Sequence, residues 1–129
     1  MSGPVVLVAD DDDDILLLVT TRLQLDGFDV VSARNGVEAL VLAKQRRPAV
    51  AVLDVGMPGL DGLEVLTQIR ADDELQATRV LLLTAKALES DVQRGYESGA
   101  DDYVRKPFSP ADLSARVRTL ADAAQSSTR

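Results

Sequence analysis

The sequence predicts an α/β fold built on a parallel sheet, and three observations carry that expectation. Apolar runs alternate with helical patterns five times along 129 residues. Three of those runs, at residues 5–9, 50–53 and 80–83, are continuously apolar, as parallel strands covered on both faces must be. Strand–helix alternation at this spacing gives right-handed crossovers around one layered core.

Each element has its own signal. The first strand, residues 5–9, stops abruptly at five consecutive aspartates, Asp10 to Asp14. Helix one follows. Helical spacing makes Ile15, Leu18, Val19 and Leu23 its buried stripe, with Leu17 on the opposite face and Leu16 on the flank. Gly27 is placed to end it. The second strand is expected at residues 30–33 and the third at 50–55. Between them Asn35 with Glu38 resembles a capping box, as Asp61 with Glu64 does before helix three. A fourth strand at residues 80–84 leads to a fourth helix around residues 89–94, with Gly99 at its end. A fifth strand at 102–105 is followed by Ser109-Pro110 and Asp112, which supply an N-cap, a first-position proline and an early carboxylate. Phe28 and Phe108 are expected in the core. Residues 1–124 form one domain, and 125–129 are a small polar tail expected to fray.

Composition narrows the chemistry. A chain of this length with 46% hydrophobic residues supports a core without staples. Cysteine and histidine are both absent, which removes thiolate chemistry and the commonest general base and metal ligand. A net charge of −7 argues against this domain gripping a nucleic-acid phosphate backbone. No run approaches the roughly 20 apolar residues of a membrane span, and no leader pattern precedes the first strand. A soluble, cytoplasmic protein is the expectation.

In an open α/β sheet, function sits outside the carboxyl ends of the strands. Strand one ends in Asp10 and Asp11, strand three in Asp54, strand four in Thr84 and strand five in Lys106. Three carboxylates, a hydroxyl and an ammonium thus converge on one rim. Clustered carboxylates stay ionised cheaply only around a cation. Mg²⁺ is held by carboxylates, waters and a phosphate oxygen. A carboxylate can itself attack phosphorus and become an acyl phosphate, and without His or Cys an aspartyl phosphate is the economical reading.

Four segments together resemble the receiver domain of two-component response regulators. They are Val8-Ala9-Asp10-Asp11-Asp12; Leu53-Asp54-Val55-Gly56-Met57-Pro58-Gly59-Leu60-Asp61-Gly62; Leu83-Thr84-Ala85; and Gly99-Ala100-Asp101-Asp102-Tyr103-Val104-Arg105-Lys106-Pro107-Phe108. The resemblance covers essentially the whole chain. It implies a doubly wound five-stranded sheet of order 2-1-3-4-5 with five helices. It makes Asp54 the phospho-acceptor and Mg²⁺ the cofactor, held by Asp11 directly, Asp10 mainly through water, Asp54 and the Gly56 carbonyl. Lys106, expected to precede a cis Pro107, pairs with the phosphoryl group. Thr84 donates its hydroxyl to that group, and Tyr103 turns inward as an aromatic switch. The implied partners are a histidine kinase or histidine phosphotransfer protein and a downstream target or fused output domain. The chain is then a switch that catalyses only its own phosphorylation and dephosphorylation.

Departures and alternatives accompany that reading. Asp12 to Asp14 read as the acidic first turn of a helix, and the family often has Pro where Asp13 stands. Exposed Leu17 and Leu16 would either gain extra burial, the favoured reading, or dock a kinase helix bundle, as helix one does in relatives. Gly56 and Lys86 flank the path of attacking water in the family. Val92 replaces a basic residue common in relatives that dimerise. Asp101, Asp102, Arg116 and Arg118 keep a phosphorylation-dependent dimer in view. Asp10-x-Asp12 also resembles the start of haloacid-dehalogenase-type phosphatases, although Asp14 departs from that pattern. A receiver that is never phosphorylated is a third reading, and retention of all five rim residues argues against it. A calcium loop starting at Asp10 would need Gly where Ile15 stands and Glu where Thr21 stands.

Overall fold

The computed structural model describes residues 3–85 and 99–127. Five parallel strands form one sheet: β1 (Val5–Ala9), β2 (Asp29–Ala33), β3 (Val50–Asp54), β4 (Arg79–Thr84) and β5 (Asp102–Arg105). Their order is β2-β1-β3-β4-β5, as the resemblance implied. Four α-helices lie among the described residues: α1 (Asp13–Leu25), α2 (Gly36–Arg46), α3 (Gly62–Ala71) and α4 (Pro110–Ser127). The predicted helix at residues 89–94, with Lys86 and Val92, lies outside them.

Burial follows position in the sheet. The central strands β1, β3 and β4 are buried almost throughout, whereas β2 and β5 at the edges are partly exposed. Side chains alternate between the two faces. Leu7, Ala9, Ala51, Leu53, Val80 and Leu82 pack with α2 and α3. Val6, Val8, Val50, Val52, Leu81 and Leu83 pack with α1 and α4.

The helix starts behave largely as their sequences predict. Asp61 and Glu64 form a reciprocal capping box at α3. At α2, Asn35 Oδ1 accepts from Glu38 N at 2.8 Å, but the Glu38 carboxylate reaches Arg34 N rather than Asn35 N, so that box is half-formed. Ser109 Oγ accepts from Asp112 N. After α1, Gly27 takes a φ of +96°, which side chains with a Cβ rarely adopt. The last helix, α4, continues through the first three residues of the expected tail.

Helix α1 departs from the expected phase. Leu16, Val19 and Leu23 face the sheet, while Leu18 is 45% exposed and Leu17 67% exposed. Leu16 therefore replaces Leu18 in the buried stripe, one residue around the helix, and Ile15 sits at its margin. Extra burial does not account for Leu17, which joins Leu18 and Leu25 as an exposed apolar strip beside Pro110.

At the opposite end of the sheet Arg70 ties α3 to β4 and to the chain entering β5. Its guanidinium donates to Thr78 O at 2.7 Å, Gly99 O at 3.0 Å and Asp101 Oδ2 at 2.9 Å. Asp101 Oδ2 also accepts from Val80 N at 2.8 Å. Removing the guanidinium leaves half-buried acceptors without their donor, which costs more than the bonds contributed. Arg70→Ala should lose about 2–3 kcal/mol in urea unfolding; a loss inside the error of the parent curve would show that the pin carries no stability.

Candidate functional site

The ends of four strands assemble the site. The β1 end delivers Asp10 and Asp11, the β3 end Asp54, the β4 end Thr84, and the residue after β5 is Lys106. Asp10 is fully buried, Asp54 is 5% exposed and Thr84 is 4% exposed, while Asp11 is exposed. Lys106 Nζ lies 2.9 Å from Asp10 Oδ2 and 3.4 Å from Asp54 Oδ1. Its bond to Pro107 is cis, as expected. Asp10 Oδ1 accepts from Asp12 N at 2.9 Å, and Asp54 Oδ1 accepts from Gly56 N at 3.2 Å. The backbone closes the rim: Lys106 N donates to Thr84 O at 2.7 Å and Val55 N to Leu83 O at 2.8 Å.

The aspartate run divides as expected. Asp12 caps α1, its Oδ1 accepting from Asp14 N at 2.9 Å and Ile15 N at 3.2 Å. Asp13 pairs on the surface with Arg34 at 3.2 Å. Both belong to the helix start, where the dipole favours negative charge.

One carboxylate oxygen from each of Asp10, Asp11 and Asp54 lies within 4.8 Å of the others. Ligands facing each other across Mg²⁺ stand about 4.2 Å apart, so a hard divalent cation fits this all-oxygen set with a small inward rotation of side chains. Gly56 is beside them and brings no side chain into the space. A Cβ built there would stand 3.8–4.0 Å from the Asp54 oxygens.

The cluster's electrostatics are unbalanced. Burial, and then the Asp10 charge, push the Asp54 carboxyl from 3.8 up to about 6, against the pull of the Gly56 N–H and the Lys106 charge. Burial works against the Lys106 ammonium, but its bond to Asp10 and the charges of Asp54 and Asp10 outweigh burial and raise its pKa.

Sequence reasoning missed Gly62, the first residue of α3. A Cβ on Gly62 would lie 2.5 Å from Asp54 O and 2.9 Å from Asp54 C. The helix thus rests directly on the peptide that carries the Asp54 side chain. A glycine at a helical position, disfavoured by up to about 1 kcal/mol relative to Ala, is the signal that could have marked it.

Tyr103 sits half-buried against the α2–α3 side of the core. The four charges expected near β5 and α4 are engaged within the chain. Asp101 pairs with Arg70 and Arg79, and Asp102 with Arg116, which also meets Asp112. Arg118 donates to Asp26 O and stacks on Phe28 at 4.1 Å.

A parallel doubly wound sheet with three carboxylates, a hydroxyl and a lysine at its carboxyl rim defines a receiver domain. The family model of the response regulator receiver domain matches residues 6–118, and the chain belongs to that family. It is 46% identical over 120 residues to the transcriptional regulatory protein PrrA of Mycobacterium tuberculosis, covering 93% of this chain and 51% of PrrA. It is 44% identical over 115 residues to the alkaline phosphatase synthesis transcriptional regulatory protein PhoP of Bacillus subtilis, covering 89% of this chain and 47% of PhoP. The chain therefore spans about half the length of these relatives. Among solved structures, the CheY-like receiver domain protein from Methanospirillum hungatei superimposes with a TM-score of 0.91 at 25% identity, over 98% of this chain and 99% of that one. The receiver domain of the Francisella response regulator 1452 gives 0.86 at 38% identity, over 93% and 98%. No helix among the described residues is long and apolar enough to cross a membrane.

The raised Asp54 pKa fixes a sign. Below 3.8 the group is protonated in both folded and unfolded chains. As pH climbs from there through about 6, the unfolded chain has released the proton while the folded one still holds it, and the folded state loses up to about 3 kcal/mol. Without divalent cation at pH 7.5, Asp54→Asn should therefore be more stable than the parent by about 1–3 kcal/mol, with no gain at pH 3.5. Mg²⁺ should raise the melting temperature of the parent more than that of the variant. A variant less stable than the parent at pH 7.5 would refute the assigned charge conflict.

Proposed function

We propose that this domain is a phospho-acceptor switch in which Asp54 takes a phosphoryl group from a histidine kinase or histidine phosphotransfer protein. The observation that carries the proposal is a buried carboxylate at the end of a central strand, 3.4 Å from one ammonium and within 4.8 Å of two further carboxylates.

An Asp54 oxygen attacks phosphorus, the donor's P–N bond breaks, and the imidazole leaves with a proton. An acyl phosphate remains. Mg²⁺, held by Asp10, Asp11, Asp54 and the Gly56 carbonyl, would neutralise equatorial phosphoryl oxygens as charge spreads over them. Lys106 supplies the positive charge on the other side and is already held by Asp10. Thr84 offers its hydroxyl to the phosphoryl group, and Tyr103 follows Thr84 inward. The group thereby stabilises one of two arrangements of the face formed by β5 and α4. The domain turns over no external substrate.

The exposed strip of Leu17, Leu18 and Leu25 on α1, which starts near the rim at Leu17 and runs away from it towards Leu25 at the end of the helix, is suited to an apolar helix of the phosphodonor. The relatives named as transcriptional regulators support an output that controls transcription, executed by a partner or a fused domain. A phosphorylation-dependent dimer through β5 and α4 would have to exchange the internal pairs of Asp101, Asp102 and Arg116 for pairs between copies.

Incubation with acetyl phosphate and Mg²⁺ should add one phosphate, detected by mass spectrometry and lost in Asp54→Asn. Labelling that persists in that variant would sink the assignment. Leu17→Glu should keep labelling by acetyl phosphate and lose at least about tenfold in transfer from the protein donor, equivalent to about 1.4 kcal/mol. Transfer at the parent rate would remove the docking role of α1.

A further inference from the structure

We propose that Gly36, on a helix that supplies no ligand, is a positioning residue for the divalent-cation site, acting through Leu60 and the loop that follows β3. The inference rests on the phospho-acceptor reading and adds a residue to it.

Gly36 is the first residue of α2 and is buried. A Cβ on it would stand 2.1 Å from Leu60 O, 2.8 Å from Leu60 Cβ and 2.9 Å from Leu60 C. Real Cβ contacts do not fall below 3.0 Å, and the nearest obstacle is backbone. Adding a methyl group must therefore displace either α2 or the loop.

The helix is the harder of the two to move. Ala39 and Ala43 on α2 are fully buried and belong to the same core cluster as Leu7 and Ala9 of β1, and Asn35 caps the first turn. The loop is more open. Pro58 and Gly59 are exposed, and with Asn35, Val37 and Leu60 they border an open cleft of about 550 Å³. Displacement falls on the loop.

That loop is short and begins at the site. It leaves Asp54, passes Gly56, turns inward at buried Met57, and returns at Leu60 to the start of α3. Gly62 holds its far end against the Asp54 peptide. Two glycines on two helices thus clamp one loop, Gly62 at the acceptor and Gly36 at Leu60. The loop's Gly56 N–H is the backbone donor to Asp54 Oδ1. A shift imposed at Leu60 has only the three residues Met57, Pro58 and Gly59 in which to dissipate before it reaches Gly56. Glycine is unfavourable inside a helix, and this contact is the physical reason for tolerating it at the start of α2.

The two glycines should differ in how they fail. Gly36→Ala should weaken Mg²⁺ binding, measured by calorimetry, by about 10-fold or more, the usual scale for a residue that orients ligands. Labelling of Asp54 by acetyl phosphate should slow at low Mg²⁺ and return towards the parent rate at saturation. Gly62→Ala, which moves the acceptor itself, should stay slow at every Mg²⁺ concentration. Val37→Ala, exposed on the same helix, should match the parent. A folded Gly36→Ala protein with parental Mg²⁺ affinity overturns the proposal. Should that variant fail to fold, Mg²⁺ titration of the parent followed by amide NMR decides: the Gly36 and Leu60 signals should shift along the binding isotherm, and fixed signals overturn the proposal. A parent protein that neither binds Mg²⁺ nor takes phosphate would bring down the phospho-acceptor reading itself, a result distinct from either.

Discussion

Of the three carboxylates clustered at the carboxyl rim of the sheet, Asp10 and Asp54 share Lys106, and the rest of the described site answers to that imbalance. Asp10 is the anchor. It is fully buried and bonded both to Asp12 N and to the Lys106 ammonium, and its charge weighs on Asp54. Asp54 bears the deficit. Lys106 stands nearer Asp10 than Asp54, by 2.9 Å against 3.4 Å, and the Asp54 carboxyl is raised to about 6. A buried carboxylate with incomplete compensation is destabilising for the fold and favourable for a nucleophile that has to meet a metal and a phosphoryl group. The local destabilisation and the proposed chemistry have one origin.

Such a conflict persists only on a rigid frame. The central strands supply the frame, buried on both faces and in continuous register from β1 through β3 to β4. Backbone contacts then fix the functional ends. Lys106 N meets Thr84 O, and Val55 N meets Leu83 O. The first turn of α3 lies on the Asp54 peptide without an intervening side chain. Had Asp54 been able to swing outward, solvation would have removed its raised pKa.

The fold was legible because continuous apolar runs and the capping residues follow from local chemistry. Asp61 with Glu64, Ser109 before Pro110, and the abrupt stop at Asp10 each announce a boundary. The four strand ends were legible because a parallel sheet gathers them on one edge. Helix phase was less so. With five apolar residues in succession, Ile15 to Val19, α1 carries little periodic contrast, and a rotation of one residue exchanged Leu16 for Leu18. What the sequence does not display is contact made by absent or multivalent groups. Gly36 and Gly62 act by lacking a Cβ, and the partners they approach, Leu60 and Asp54, lie on other segments of the chain. Arg70 reads as a surface charge on an amphipathic helix until β4 and the Gly99–Asp101 turn close around it. The half-formed box at Asn35 shows the same limit at short range: residue types and spacing suit reciprocity, but the Glu38 carboxylate bonds to Arg34 N instead.

Under the phospho-acceptor proposal, the fixed contacts also indicate where a signal can travel. On one flank, α4 is fastened to the end of α1. Ser114 Oγ bonds to Asp26, Arg22 pairs with the same carboxylate at 2.8 Å, and Arg118 donates to Asp26 O while covering Phe28. At the base of the sheet, Arg70 fixes Gly99 and Asp101. Neither set of contacts touches Asp54. The rim itself communicates in the other direction. Lys106 contacts the acceptor by its side chain and Thr84 by its backbone N–H, and Thr84 is in register with Arg105, two residues beyond Tyr103. A group that pulls on Thr84 and Lys106 therefore loads the β4–β5 edge before it loads α1 or α4. The route is short and its members are in contact, which gives the coupling a physical path. The α1 surface can then remain unchanged while the β5 edge responds, so that docking of a phosphodonor and release of an output need not compete for the same face.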